Sequence, residues 1–329
     1  MGNKILVIKL GALGDMVLAS AAFASLRKSF PNSELSLLTT PIYFPLVKSC
    51  SYFTEFFLFR REENFFLQAL HSGVTLRRKR FTLVVNLQNN FKANILAYLT
   101  GAPERIGFRK GPLRKLLTRS LLYNPAENAL WNINQVLALA GAFPAEKMEF
   151  YITPEEEKET EDLLKSAGWS GQPLAGLHPG ASSGWQSKRW PEGHWVDLAR
   201  KLSEKGIIPV FFGDNGEYRK LEEINKKILG KTFNLAGKVS LSLLPAVIRR
   251  CQVFISTDSG PLFIAAASGI KTLGLYGPTE SRRHAPPGVL VLEMAGLACR
   301  PCYRKFCARP VCLTNITPEE VLRCMEKSV

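Results

Sequence analysis

The sequence has few aspartates and lacks the commonest phosphate-binding loop. Five of its 329 residues are aspartate, and no two of them form an Asp-x-Asp pair. This excludes a metal-bridged diphosphate site of the usual acidic kind. The chain also lacks a Gly-x4-Gly-Lys-Ser/Thr loop, which excludes the common nucleotide hydrolases. No nucleophile–base triad can be identified around the four histidines, and His71 and His284 have no recognisable partner.

Long hydrophobic runs are absent as well. No run of 18 or more apolar residues occurs, and a strand-like apolar stretch begins already at Ile5. This pattern predicts neither a membrane-spanning helix nor a secretory signal. We therefore expect a cytoplasmic protein.

The seven cysteines are an odd number, which argues for reduced thiols rather than a disulfide framework. Four of them cluster as Cys299, Cys302, Cys307 and Cys312. That spacing is compatible with a tetrahedral zinc, although the intervening residues lack the glycines that ease such tight turns. A structural zinc is one interpretation, and inert or occasionally oxidised thiols are the alternative.

Positive charge is concentrated in the first half of the chain. The net charge is +15, of which residues 1–150 carry +10, and between Asn64 and Glu127 eleven Lys and Arg face the single acid Glu104. Such a surface attracts nucleic acid, anionic lipid headgroups or a phosphorylated substrate, although an ordinary solvated basic face is the alternative. Because Phe81, Phe91 and Phe108 look like core residues rather than stacking platforms, we expect no nucleic acid partner.

Short apolar runs alternate with amphipathic stretches along the whole chain, a pattern typical of parallel βαβ units. A charged helix begins at Pro154, where we place a domain boundary between residues 1–153 and 154–329. The sequence thus predicts an α/β protein with two Rossmann-like domains whose parallel sheets face each other across a cleft. Strands are expected near 4–9, 34–39, 54–58, 81–86, 104–107, 148–151, 173–178, 207–213, 232–235, 252–257 and 271–276.

A glycine-containing turn follows the first predicted strand. Gly11 and Gly14 allow a ligand to approach the backbone, and Asp15 stands at the start of the next helix. A third glycine and an acid at the end of the second strand, which NAD binding requires, are both missing. Asp15 is therefore either a functional carboxylate or simply a helix cap.

Two loops in the second half have the composition of a diphosphate site. Residues 178–184 are rich in glycine and hydroxyl side chains, and Lys188 and Arg189 follow shortly afterwards. Diphosphate oxygens bind N–H donors and positive charge, which this combination supplies. Asp258, Ser259 and Gly260 start a later helix, whose amino terminus also suits a phosphate. Ordinary surface charge is the alternative for the two cations.

These motifs, taken in order, resemble those of the lipopolysaccharide heptosyltransferases, glycosyltransferases of family 9 with the GT-B fold. The resemblance spans nearly the whole chain and rests on six segments in the right order rather than on any one of them. The matching segments are 8–15, 105–108, 178–181 with 188–191, 234–237, 257–261 and 276–279.

The resemblance implies metal-independent, cofactor-free, inverting transfer of heptose from ADP-heptose to the inner core of lipopolysaccharide, at the cytoplasmic face of the membrane. Asp15 would be the general base and Lys188 would neutralise the departing diphosphate. The first domain would bind the acceptor and the second the nucleotide sugar. The implied donor-binding residues are Gly11, Gly14, Ser182, Ser183, Asp258, Ser259, Gly260, Pro261 and Gly277, and the implied acceptor-binding residues are Arg105, Arg109 and Lys110.

One position departs from the family pattern. The family commonly has a histidine five residues after the aspartate of the 258–261 turn, and this chain has Phe263. This departure implies a shifted mode of donor binding, another sugar donor or weakened catalysis. The alternative functions are a transferase of the same fold that uses another nucleotide sugar, a nucleotide-sugar epimerase or hydrolase, and a non-catalytic basic module that binds membrane or nucleic acid.

Overall fold

A computed structural model describes residues 3–181 and 184–326. The chain divides into two compact units, Met1–Tyr151 and Ile152–Val329. Each unit contains one six-stranded sheet in which the described strand pairs are all parallel. This confirms the predicted α/β class with two parallel sheets.

The first unit has the strand order β3-β2-β1-β4-β5-β6. Within this sheet Ile5 pairs with Leu35 on one side and with Leu83 on the other. The strands are β1 (Lys4–Ile8), β2 (Glu34–Thr39), β3 (Glu55–Leu58), β4 (Leu83–Asn86), β5 (Glu104–Phe108) and β6 (Arg119–Leu121). The helices are α1 (Leu13–Ser29), α2 (Phe65–Arg78), α3 (Phe91–Leu99) and α4 (Ala129–Leu139).

The second unit repeats this order as β12-β11-β10-β7-β8-β9. Its strands are β7 (Leu174–His178), β8 (Ile208–Phe211), β9 (Phe233–Asn234), β10 (Val253–Thr257), β11 (Lys271–Tyr276) and β12 (Leu290–Glu293). Its helices are α5 (Pro154–Ser166), α6 (Glu192–Glu204), α7 (Tyr218–Lys226), α8 (Leu244–Arg249), α9 (Gly260–Ala267), α10 (Ser281–His284), α11 (Val311–Thr314) and α12 (Pro318–Glu326).

The central strands are apolar on both faces because helices cover both sides of such sheets. All residues of β1 from Ile5 to Ile8 are at most 1% exposed. In the second unit Trp190 and Trp195 pack edge to face at 4.9 Å. Trp190 also donates to the carbonyl of Ile316 at 2.9 Å, which ties the segment before α12 to the start of α6.

Three strand predictions differ from the structure. The edge strands β6 and β12 were not expected. β6 has three residues and begins with the polar pair Arg119 and Ser120, and β12 has four residues that are alternately half-buried and exposed. The prediction of a strand at 148–151 is wrong. There the backbone N–H of Glu149 donates to Ser20 of α1, and its carboxylate accepts from Tyr52 and Tyr151, so side chains hold this apolar segment in place of a sheet.

In both sheets the strand order reverses once, between β1 and β4 and between β7 and β10. Open α/β sheets bind ligands at the carboxyl ends of the strands beside this switch point. The topology therefore indicates one ligand-binding edge in each unit. Among the described helices, none is long and apolar enough to cross a membrane.

Candidate functional site

At the switch point of the first unit, a buried lysine lies beside a partly exposed aspartate. The Lys9 side chain, just after β1, is 6% exposed, and its Nζ donates to the carbonyl of Leu87 at 3.3 Å. The same Nζ lies 3.8 Å from Oδ2 of Asp15, whose side chain is 46% exposed. Burial lowers the pKa of Lys9, and the Asp15 carboxylate opposes that shift. The buried Lys9 amine and the partly exposed Asp15 carboxylate thus lie side by side at the carboxyl end of β1.

Asp15 also serves as a helix cap. It is the third residue of α1, and its Oδ2 accepts the backbone N–H of Ala12 at 3.3 Å. The preceding Gly11 has φ +118°, a conformation that favours glycine, and a Cβ there would collide with the Tyr43 ring. The turn therefore requires glycine at position 11 to present Asp15 at the edge of the sheet.

A pocket of about 250 Å³ opens beside this pair. Asn89 is one of its lining residues, and its side-chain Oδ1 is buried without a hydrogen-bond partner in the described structure. Such an acceptor suits a ligand that brings its own hydroxyl donors. The pocket is lined by Lys9, Asp15, Leu87, Gln88, Asn89, Phe108, Tyr123, Ala129 and Ile133.

The basic residues predicted to bind the acceptor lie on and after β5. The Arg105 guanidinium donates to the carbonyl of Leu116 at 2.9 Å and to the carbonyl of Ala102, and it lies over the Tyr98 ring. Arg105 therefore has a structural role in addition to its predicted role in acceptor binding. Arg109 is half-buried and Lys110 is exposed at the carboxyl end of the strand.

In the second unit, a lysine and an aspartate form a nearly buried ion pair. Lys188 Nζ lies 2.7 Å from Asp258 Oδ2, with the two side chains 13% and 9% exposed. The same oxygen accepts from the Thr279 hydroxyl at 2.8 Å, and the ammonium lies 4.5 Å from the centre of the Trp185 ring. Asp258 thus fixes the position of the Lys188 side chain, whose Nζ lies at the carboxyl end of β10.

The amino terminus of α9 lies beside this pair. Its N-cap, Ser259, does not cap the helix with its side chain. The hydroxyl instead bonds Ser256 at 2.9 Å and Nδ1 of His178 at 3.1 Å. Burial lowers the pKa of His178 to about 4, so its imidazole is neutral at pH 7. The first-turn N–H groups of α9 therefore remain available to an anionic ligand.

His284 belongs to the same group, although no partner for it could be recognised from the sequence. Its Nε2 lies 3.3 Å from the Tyr303 hydroxyl. Burial lowers the pKa of His284, the Asp258 carboxylate opposes this, and the Arg283 and Lys188 cations add to it. These couplings place His284 within the electrostatic reach of the ion pair. Sequence reasoning missed it because α10 follows β11, whose neighbour is β10 only in space.

The predicted site residue Gly277 has a packing role. A Cβ at this position would lie 2.7 Å from the Leu313 side chain. Its carbonyl accepts from Arg300 Nε at 2.6 Å. Sequence reasoning did not single out Arg300, although its guanidinium also bonds Glu293, Met294 and Thr279.

Two predicted groups remain to be placed. Ser182 and Ser183 lie outside the described residues. Cys312 is buried, Cys302 and Cys307 are half-buried, and Cys299 is exposed. Within residues 3–181 and 184–326, no group of three or more His, Cys, Asp or Glu side chains is arranged to hold a metal ion, so this geometry gives the zinc interpretation no support.

A family model described as glycosyltransferase family 9 (heptosyltransferase) matches residues 70–311, about three quarters of the chain. The chain belongs to this family. It is accordingly a glycosyltransferase with the GT-B fold, as its sequence motifs indicated.

Known relatives agree with this assignment. The lipooligosaccharide heptosyltransferase 2 of Campylobacter jejuni is 28% identical over 332 residues, covering 96% of each chain. A family 9 glycosyltransferase from Veillonella parvula superimposes with a TM-score of 0.90 at 21% identity, covering 99% of this chain and 96% of that one. The Escherichia coli ADP-heptose LPS heptosyltransferase II gives 0.81 at 23% identity, covering 98% of both.

Proposed function

We propose that this chain transfers a heptose from ADP-heptose to the inner core of lipopolysaccharide, with inversion and without a metal, at the cytoplasmic face of the membrane. Family membership and the names of its relatives support heptose transfer. The donor binds the second unit and the acceptor the first. The observation that carries this proposal is the Lys188–Asp258 pair at the amino terminus of α9.

Departure of ADP leaves negative charge on the diphosphate, and this charge must be stabilised as the glycosidic bond breaks. Lys188 supplies a positive charge whose position Asp258 and Thr279 fix. The N–H groups and dipole of α9, beginning at Ser259 and Gly260, add a second stabilising element. Lys188 and the amino terminus of α9 together stabilise the diphosphate charge, as a bound Mg²⁺ does in acidic sites. Asp258 acts on the donor through Lys188.

Asp15 is the general base of the proposed reaction. It removes the proton from the acceptor hydroxyl, and the oxygen then attacks the anomeric carbon from the side opposite to ADP. Lys9 Nζ lies 3.8 Å from the Asp15 carboxylate and holds it at the edge of the pocket. The polar lining of the same pocket, which includes Gln88 and Asn89, binds further hydroxyls of the acceptor. Arg109 and Lys110 attract acceptor phosphates.

The first test is a transfer assay with ADP-heptose and a lipid-linked core acceptor, with and without EDTA. We expect EDTA to leave the rate unchanged and the product linkage to have the inverted anomeric configuration. Loss of activity with EDTA, or a retained configuration, would contradict the mechanism. ADP release without acceptor at the full rate would instead identify a hydrolase.

The nucleotide specificity needs a separate test, because this chain has Phe263 where the family commonly has histidine. Phe263 is half-buried on the first turn of α9, at the proposed diphosphate site. Thermal shifts with ADP, UDP, GDP and CDP compare the candidate donors. A ligand at 100 times its dissociation constant adds about 2.7 kcal/mol of stability. We expect selective stabilisation by ADP; a preference for another nucleotide would change the sugar donor but keep the reaction class.

A further inference from the structure

The outward face of α2 is apolar although it is exposed. Phe66, Leu67, Leu70 and Val74 are 78%, 70%, 62% and 48% exposed. Their spacing of three and four residues places them on one face of the helix. We refer to these four side chains as the α2 apolar stripe. A contiguous exposed apolar patch of this kind marks an interaction site more often than singly scattered residues do.

The fold of the first unit does not need this stripe. The opposite face of α2 buries Ala69, Ser72, Gly73 and Leu76. A Cβ at Gly73 would lie 2.9 Å from the Leu99 side chain, which shows how closely α2 and α3 approach. The helix is therefore anchored by its inner face, and the apolar stripe is left for another contact.

The charges around the stripe are basic. The exposed face of α2 also presents His71, Arg77 and Arg78, and the helix contains no acidic residue. Arg77 and Arg78 form no ion pair with a described side chain. At the amino-terminal end, Glu62 and Glu63 precede the helix, and the Glu63 carboxylate bonds Arg60 and Gln68.

The stripe begins at the same edge of the sheet as Asp15. α2 follows β3, so its first turn lies at the carboxyl ends of the parallel strands. Ile42 and Leu58, which follow or end β2 and β3 at this edge, are 60% and 44% exposed. A recess of about 410 Å³ there is lined by Pro41, Leu58, Arg60, Gln68 and His71. Exposed apolar groups thus continue from α2 towards the proposed acceptor pocket.

We propose that the α2 apolar stripe, with Arg77 and Arg78, docks this protein onto an anionic membrane surface. Amphipathic helices bind such surfaces by burying apolar side chains among the headgroups while Lys and Arg contact anionic lipids. Self-association through the stripe is the competing outcome, and the ultracentrifugation experiment below distinguishes it from lipid binding. This proposal rests on the proposed function, because docking would bring the pocket beside Asp15 close to an acceptor that is anchored in the membrane.

The test is flotation of the full chain with vesicles of phosphatidylethanolamine and phosphatidylglycerol, compared with phosphatidylcholine alone. Leu67→Gln/Leu70→Gln should lower binding to the anionic vesicles about tenfold or more, because two exposed leucines lose their lipid contact. The matched control, Leu122→Gln/Leu229→Gln, removes two leucines that are 65% and 86% exposed elsewhere and should bind like wild type. Equal losses in both double variants would overturn the proposal.

The charge contribution is tested with Arg77→Gln/Arg78→Gln, against Lys226→Gln/Lys227→Gln on α7 and its end as control. The arginine variant should bind anionic vesicles about tenfold more weakly at low salt, and the difference should shrink as salt rises. The proposal would be overturned if the wild-type protein did not bind the anionic vesicles. So would self-association of wild type, measured by analytical ultracentrifugation, that Leu67→Gln/Leu70→Gln abolishes.

Transfer assays separate this proposal from the proposed function. Leu67→Gln/Leu70→Gln should keep the wild-type rate with a water-soluble, deacylated core acceptor and lose rate only with the vesicle-bound acceptor. If wild type transfers no heptose to either acceptor but vesicle binding follows the expected pattern, the docking surface stands and the proposed function fails.

Discussion

The two units share one strand order, and each has a lysine–aspartate pair at its switch point, but the two pairs differ in how exposed they are. In the first, the lysine is buried and Asp15 is nearly half exposed beside an open pocket. In the second, Asp258 and Lys188 are both nearly buried, and the aspartate is held by two partners. The first unit therefore leaves a carboxylate partly exposed at its switch point, whereas neither side chain of the pair in the second unit is more than 13% exposed. One topology thus holds an accessible carboxylate in one unit and an enclosed ion pair in the other, which is the difference that the proposed base and anion site depend on.

The largest expected effect comes from removing the charge of Asp15. Asp15→Asn keeps the size of the side chain but cannot accept a proton, so transfer should fall about a thousandfold, within the range of general-base contributions. ADP affinity should stay within about twofold of wild type, because the proposed nucleotide site lies in the other unit. Steady-state kinetics and calorimetric titration with ADP measure the two quantities.

Glu34→Gln provides the control for Asp15→Asn, since Glu34 is an exposed carboxylate that also lies near a lysine, Lys4. It should leave transfer unchanged. An equal loss of ADP affinity and of rate in Asp15→Asn would contradict the assignment of Asp15 as the base and would erase the difference between the two units.

Removing the cation of the second unit should affect both binding and rate. Lys188→Met should lower kcat/KM about a hundredfold and weaken ADP binding, because the departing diphosphate loses a fixed positive charge. Asp258→Asn should have a smaller effect of the same kind, since Lys188 remains but is held less firmly. Transfer kinetics and ADP titration on both variants test this order.

Lys205→Met is the matched control, because Lys205 and Glu326 form an ion pair at 2.8 Å in which both side chains are at least half exposed. It should change neither quantity by more than about twofold, as expected for a surface ion pair. A Lys188→Met variant that binds ADP like wild type would show that Lys188 does not contact the diphosphate.

The sequence predicted the βαβ pattern and the residues at both strand edges, because apolar periodicity and glycine turns are local signals. It did not predict that Lys188 and Asp258 pair, since they are 70 residues apart and meet only because β7 and β10 are neighbours. Lys9 was missed as a site residue for the same reason, because its role depends on Leu87 and burial between strands. Strand order, which depends on packing of the whole unit, decides these contacts.

The smallest effect we expect is a pH dependence of the stability of the second unit. Burial holds the pKa of His178 at about 4 in the folded state, against 6.5 for the ordinary side chain. Between these values the unfolded chain binds the proton and the folded chain does not, so stability rises with pH from about 4 to 6.5 and then levels off. The total change is at most about 3–4 kcal/mol, since the two pKa values differ by about 2.5 and one pKa unit corresponds to about 1.4 kcal/mol.

Urea unfolding between pH 4.5 and 7.5, followed by tryptophan fluorescence, measures this dependence. Four of the five tryptophans lie in the second unit, so the signal reports mainly on it. His178→Gln should be less stable than wild type at pH 7, because the hydrogen bonds to Ser256 and Ser259 are altered, and its midpoint should depend less on pH.

The control is His71→Gln, which changes an exposed side chain of the first unit and should reproduce the wild-type curve. A His178→Gln curve parallel to that of wild type would show that this buried histidine is not the source of the pH dependence. His284 would then be the next group to test, since burial lowers its pKa beside the Lys188–Asp258 pair.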